Sequence, residues 1–197
     1  MIEIIEAGPA DLDVLSVVIA AAFHDLPPSR WLVEDETARF AIFPEYFLIY
    51  LEHGLSAGVV QATADRSAAA VWLPVGPGGP VPPDDYQRSL AAATTPWTAR
   101  FAAFDAALER RHPAGRPHRH LALLGVRPDR QGRGTGSALL RAGHRALDAA
   151  GVPGYLEASS ERSRRLYREH GYADLGPPIV LPGGPSLFPM WREPAGG

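Results

Sequence analysis

The chain has 197 residues, 46% of them hydrophobic, with 19 Lys+Arg against 22 Asp+Glu for a formal charge of −3, which is enough apolar material for one substantial core. It contains no cysteine, which excludes disulfides, thiolate metal sites and a cysteine nucleophile. The start, Met1-Ile-Glu-Ile-Ile-Glu6, lacks a basic n-region, and acidic residues break the long apolar runs, so neither a signal peptide nor a membrane span is expected and a cytoplasmic protein is the natural reading.

In chain order, residues 2–6 predict a short strand. Pro9-Ala-Asp11 opens a helix with Leu12, Leu15, Val18, Ile19, Ala22 and Phe23 at helical spacing, ended by His24-Asp-Leu-Pro-Pro-Ser29. A second helix is predicted over 35–52, with Phe40, Phe43, Phe47 and Leu51 on one stripe and a kink at Pro44. Leu55–Thr63 and Ala68–Val75 predict two antiparallel strands. Gly76-Pro-Gly-Gly-Pro-Val-Pro-Pro83 is a loop, and 84–111 is helical with a break near Pro96. Strand 118–127, helix 134–150, strand Tyr155–Ala158 and helix 160–170, capped by Gly171, follow. The βαβ rule makes the two strands parallel. Strands at 178–182 and 186–192 close the chain. The expected fold class is α/β, a single domain with a mixed central sheet and helices on both faces.

Residues 120–136 carry the chemistry. Leu121 to Val126 reads as a buried strand stopped by Pro128. Gln131-Gly-Arg-Gly-Thr-Gly136 and an amphipathic helix follow. A strand, a glycine-rich turn and a helix N-terminus together grip phosphate, because successive amides point into one concavity and the helix dipole adds positive potential. All 19 basic residues are Arg, so a Walker loop, which needs lysine, is excluded. Gly-x-Gly-x-x-Gly fails as well, with Ser137 and Leu139 at the sixth positions. Residues 1–99 carry 4 Arg against 13 Asp+Glu, and residues 100–197 carry 15 Arg against 9. The basic half therefore holds the loop, and the acidic half favours a cationic acceptor.

Gln-x-x-Gly-x-Gly, from Gln131 through Gly134 to Gly136, resembles the pyrophosphate loop of the Gcn5-related N-acetyltransferase (GNAT) family. Ser160-x-x-Ser163-x-x-Leu166-Tyr167-x-x-x-Gly171-Tyr172 is similar to the same family's helix after the next strand, and Ala69-Ala-Val-Trp-Leu-Pro74 is a weaker echo. Within the family, Leu123–Val126, Ala149-Ala-Gly-Val-Pro153 and Leu156-Glu-Ala-Ser159 look closest to puromycin-type antibiotic N-acetyltransferases. Ser160 stands where asparagine is usual, and Gln131 where arginine is commoner.

The resemblance implies an acetyl-CoA-dependent enzyme passing acetyl directly to a primary amine, with residues 1–117 shaping the acceptor site and 118–197 binding the cofactor. Leu124, Gly125 and Val126 would lie beside the pantetheine, where the two parallel strands splay. Gly125 suggests a bulge or a close backbone approach, and an amide near Val126 would face the oxyanion. Gln131, Gly132, Arg133, Gly134, Thr135 and Gly136 would hold the pyrophosphate, with Arg130 or Arg133 assisting. Ser160 and Ser163 would meet the pantetheine arm. Tyr167 is the candidate acid for the departing thiolate. Glu157 is the first candidate base, on the expectation that burial raises its pKa, with Glu34, His24, His120 or a water chain as alternatives.

Competing readings are a non-catalytic coenzyme A-binding module and a serine hydrolase built on Gly54-Leu-Ser56-Ala-Gly58, whose helix-before, strand-after context is wrong for a nucleophile elbow. His112, His118 and His120 lack carboxylates at metal-ligand spacing, so no metal is expected. The basic stretch 110–119 has no interleaved aromatics, so no nucleic acid is expected either. An aminonucleoside or other antibiotic, a polyamine, an amino acid and a protein N-terminus all stay open as acceptors, as does a homodimer. His24 to Glu34, Trp31 and Trp72 are candidate pocket residues.

Overall fold

The computed structural model describes residues 2–196; the end residues of the expected 1–197 domain lie outside them. Within that range the strands β1 (Ile4–Glu6), β2 (Val59–Thr63), β3 (Ala68–Val75), β4 (His118–Val126), β5 (Gly154–Ala158), β6 (Ala173–Asp174), β7 (Ile179–Val180) and β8 (Ser186–Arg192) run in the order β1-β2-β3-β4-β5-β8-β6, with β7 on β8. All pairings are antiparallel except β4 with β5, which is parallel as the crossover requires. The helices are α1 (Leu12–Phe23), α2 (Pro27–Leu32), α3 (Glu36–Ala57), α4 (Tyr86–Thr94), α5 (Thr98–Glu109), α6 (Thr135–Ala150) and α7 (Glu161–Glu169).

Alternation sends each strand's side chains to two cores. Ala69, Val71, Val60 and Ala62 pack with Leu15, Ile19, Phe43, Phe47 and Phe101 on the α1–α3 face. Ala68, Ala70 and Trp72 pack with Leu139, Leu140, Leu147 and Tyr167 on the α6–α7 face. On β4 the alternation breaks: Leu121 belongs to the second core, and Leu123, two residues on, to the first. A bulge explains it. Val71 pairs Leu123 while Trp72 pairs Leu121, leaving Ala122 as the extra residue.

The bulge therefore falls at Ala122 and not at Gly125. Gly125 is instead a close approach, since a Cβ there would lie 3.2 Å from the Ile19 Cα of α1. Three further differences from the sequence reading have local causes. Pro27 and Pro28 pre-set the first turn of α2 where a loop was expected. Leu55–Ala57 continue α3, and β2 begins only after Gly58, whose Cβ would meet the Trp72 carbonyl at 2.2 Å. Phe40 of the expected apolar stripe is 63% exposed. The helix entered from Asp35, whose carboxylate caps the Ala38 amide at 2.7 Å, turns that side chain outward.

Candidate active site

The parallel strands β4 and β5 pair only at Arg119–Gly154 and His120–Tyr155. Beyond that point they separate, and the gap opens into a cavity of about 800 Å³, within the range of small-molecule sites. Its β4 wall is His120 to Leu124 with Val126; its other wall is Glu157, Ser159, Ser160, Ser163 and Tyr167.

At one end lie Arg130, Gln131, Gly132, Gly134, Thr135 and Gly136. Gly132 and Gly134 hold φ of 73° and 80°, a conformation that costs a side-chain-bearing residue energy. A Cβ on either would meet nothing within 4 Å, so the concavity in front of them is open. Gly134 is the N-cap of α6 and offers no capping side chain. The first amides of that helix therefore stay free for an anion. Gln131 folds back, its Nε2 donating to the Val126 carbonyl at 3.0 Å, and so ties the loop to the strand end.

Two expected cofactor contacts sit elsewhere. Arg133 turns to a neighbouring concavity with Asp65, Ser67 and Arg130. Gly125 is turned toward α1 and not into the cavity wall. Ser160 and Ser163 do line the cavity, but their hydroxyls first close a capping box on α7: Ser160 Oγ accepts from the Ser163 amide at 3.1 Å, and Ser163 Oγ accepts from the Ser160 amide at 3.1 Å. That box, with Arg164 donating from Nε to Asp174 at 2.8 Å, fixes the helix carrying Tyr167. Tyr167 is 8% exposed and packs against Tyr172 at a ring distance of 5.8 Å. Burial holds its hydroxyl well above the ordinary phenol range, so it keeps its proton.

At the middle of the gap stand His120 and Glu157, on adjacent strands and the same face. His120 Nε2 lies 2.8 Å from Glu157 Oε2, with the two side chains 16% and 6% exposed. Burial alone would raise the Glu157 carboxyl, as the sequence reading expected. The electrostatic attraction of the His120 imidazole and its hydrogen bond outweigh burial and leave the carboxyl below its ordinary value, which corrects that expectation. An ionised Glu157 accepts from the Nε2–H of His120, so a neutral His120 carries its lone pair on Nδ1.

His112 and His118 continue the network. His118 Nδ1 donates to the Arg116 carbonyl at 2.8 Å, which makes its Nε2 the acceptor from His112 Nε2–H at 3.1 Å. His112 Nδ1 lies 3.9 Å from Glu157 Oε1, and that oxygen has no hydrogen-bond partner. Burial lowers His112 to about 4. The three histidines noted in sequence thus gather around one carboxylate. Among the described residues no group is arranged to hold a metal ion.

Of the candidate stretch His24 to Glu34, Asp25, Leu26, Pro28, Ser29 and Leu32 line the cavity; His24, Trp31, Glu34, Ser56 and Trp72 lie outside it. Glu34 is exposed and paired with Arg100 at 2.8 Å. His24 stacks on Phe40 at 3.9 Å. Trp31 donates to the Pro182 carbonyl at 3.1 Å, and Trp72 donates to Gln61 at 3.2 Å on the α6 side. Ser56 sits in the last turn of α3 and donates to the His53 carbonyl at 3.1 Å, with no strand before it, so no nucleophile elbow exists there. What sequence reading missed is a hydroxyl chain. Tyr46 donates to Tyr50 at 3.4 Å, Tyr50 and Tyr86 share a bond of 2.9 Å, and Tyr86 donates to Asp105 at 2.7 Å. The i, i+4 pair Tyr46 and Tyr50 was its only trace in sequence.

Residues 98–174 match the family profile described as an acetyltransferase (GNAT) domain. The fold is similar to a structure described as histone acetyltransferase HPA2 and related acetyltransferase from Corynebacterium glutamicum, at 25% identity over 100% of this chain and 99% of that one, with a TM-score of 0.74. It is also similar to arylalkylamine N-acetyltransferase 2 from Aedes aegypti (13% identity, 98% and 99% covered, TM-score 0.64). A Drosophila melanogaster polyamine N-acetyltransferase is comparable (16% identity, 98% and 100% covered, TM-score 0.61). The chain thus has the GNAT fold, and its residues 98–174 match a GNAT acetyltransferase domain profile. That match and the fold together support an N-acetyltransferase. No helix of the described residues is long and apolar enough to cross a membrane.

Proposed function

We propose that this protein transfers acetyl from acetyl-CoA to a primary amine of a small molecule by direct attack. The single observation that carries the reading is the cavity: one continuous space joins the glycine loop to the His120–Glu157 pair and passes Tyr167 on the way. A non-catalytic coenzyme A module would need the loop but no such pair.

In this reading the α6 amides and the Gln131–Gly136 loop hold the pyrophosphate, and Leu124 and Val126 border the pantetheine. The attacking amine must lose a proton. His120 Nδ1 is the base, oriented through its other nitrogen by Glu157, so the first candidate from sequence becomes the partner of the weaker one. A base placed this way contributes about 10²–10⁴-fold. The nitrogen lone pair forms the N–C bond, the C–S bond breaks, and the thiolate leaves. Tyr167 sits in the wall between the two groups. Raised above its ordinary range, its phenol is a weaker acid than a thiol (about 8.5). It therefore acts by donating a hydrogen bond as charge develops on sulfur.

The puromycin-type resemblance adds a finer reading, an aminonucleoside acceptor, and puromycin belongs among the amines tried. The test is coenzyme A release from acetyl-CoA over an amine panel, with calorimetry of coenzyme A alongside. Tight coenzyme A binding with acetyl transfer to no amine at all would leave only the binding module.

A further inference from the structure

The cavity continues past His120 to a wall built by α1, α3 and α5. Phe23, Phe43, Tyr46, Phe47, Tyr50 and Phe104 form it, with Phe23 tilted on Phe47 at 5.0 Å, Tyr46 tilted on Phe47 at 5.1 Å and Tyr46 edge to face on Tyr50 at 5.4 Å.

Charge is scarce there. The carboxylates bordering the cavity among the described residues are Asp25, Glu157 and Glu169. Asp25 is exposed at the rim and lies 3.1 Å from Arg30. Glu157 is bound to His120 through Oε2, and its Oε1 is buried beside His112 at 3.9 Å. Glu169 is on α7, on the cofactor side. Asp105 does not reach the cavity, because Tyr86 stands on it. The wall's polar groups are therefore neutral phenol hydroxyls. Aromatic walls favour a flat apolar body placed edge or face on, whereas a second, strongly hydrated ammonium driven against them would lose its water and find only ring faces and neutral phenol oxygens, with no carboxylate to replace it.

Resting on the acetyl-transfer reading above, we propose that the acceptor is a monoamine with an aromatic or comparably apolar body, and that this wall rejects diamines. The acidic bias of the N-terminal half, which had favoured a cationic acceptor, does not extend into the wall.

The experiment compares kcat/KM for 2-phenylethylamine and tryptamine with that for putrescine, agmatine and spermidine, using acetyl-CoA as donor. The arylalkylamines are expected to lead by at least about a hundredfold. A Leu108→Glu variant places a carboxylate in the α5 wall, where Leu108 borders the cavity; it should narrow that ratio tenfold or more, by losing arylalkylamine turnover and gaining agmatine turnover. If the diamines are acetylated as well as the monoamines, the proposal is overturned while acetyl transfer stands. If coenzyme A binds but no monoamine in the panel reacts, the proposal is likewise overturned. If acetyl-CoA itself does not bind, both readings fall. The wild-type ratio decides even where the variant does not fold.

Discussion

Replacing Glu157 by Gln tests the centre of the mechanism with almost no change of shape. The side chain is 6% exposed and sits 2.8 Å from His120 Nε2, so an isosteric amide fits the same space. Its oxygen still accepts from the imidazole, but without charge. A hydrogen bond to a charged group contributes about 1.5–3 kcal/mol and a neutral one about 0.5–1.5, so the difference is about 1–2 kcal/mol. If the transition state carries an imidazolium at His120, that difference appears in the barrier as a loss of about 5–30-fold in kcat. His120→Ala should cost more, about 10²–10⁴-fold. The double variant should be no worse than His120→Ala alone, because the carboxylate acts only through the imidazole. The assay is coenzyme A release, with kcat and KM separated and the dissociation constant of coenzyme A measured by calorimetry. Turnover within twofold of wild type would remove the pair from the mechanism. Loss of coenzyme A affinity would show that the carboxylate holds the fold of the gap and not the base.

Tyr167→Phe should lower kcat by one to three orders of magnitude while coenzyme A affinity survives, and near-normal turnover would remove the phenol from the chemistry. Gly134→Val places a branched side chain in an αL position with φ of 80° and in the open concavity before the helix N-terminus; calorimetry should find coenzyme A affinity abolished, and intact affinity would contradict the loop's role. Stability should fall with acid: His112 and His144, each held near 4 chiefly by burial, bind fewer protons folded than unfolded between about pH 6.5 and 4. Their contribution is therefore full above about 6.5 and lost as pH drops toward 4, on the order of 3 kcal/mol each at most. A melting temperature flat between pH 7 and 4.5 would refute this, and His144→Gln should remove part of the slope.

The phosphate-loop geometry was legible because it depends on local backbone needs: two residues at positive φ before a helix call for glycine at 132 and 134, whatever else the chain does. The parallel β4–β5 pair was legible for a similar reason, since a short crossover permits one hand. Glu157 was found but misjudged, because its protonation depends on His120 and His112, which a strand pairing and a distant loop bring to it. The aromatic wall was half visible. Phe43 and Phe47 read as a helix stripe, yet nothing in the stripe distinguishes a buried ring from one facing a cavity. Tyr86 and Asp105 meet Tyr50 only through tertiary packing of α3, α4 and α5.

Ala122 shows why such misses concentrate at the site. A regular strand would have sent Leu121 and Leu123 to the same face, and period-two reading assumes it. With the extra residue, His118 and His120 share a face with Leu123 and Gly125, whereas Leu121 shares one with Leu124 and Val126. The same strand thereby presents histidine toward the acceptor side before the bulge, seats Gly125 against α1 after it, and still turns Leu124 and Val126 to the helix that bears Tyr167. His120 and the Tyr167 hydroxyl approach one cavity from opposite faces of the sheet because the bulge and the adjoining gap between β4 and β5 open the sheet between them. No hydrophobic pattern announces an irregularity that leaves Leu121 and Leu123 both buried, so the residue that sets the site's geometry is the one whose side chain says least.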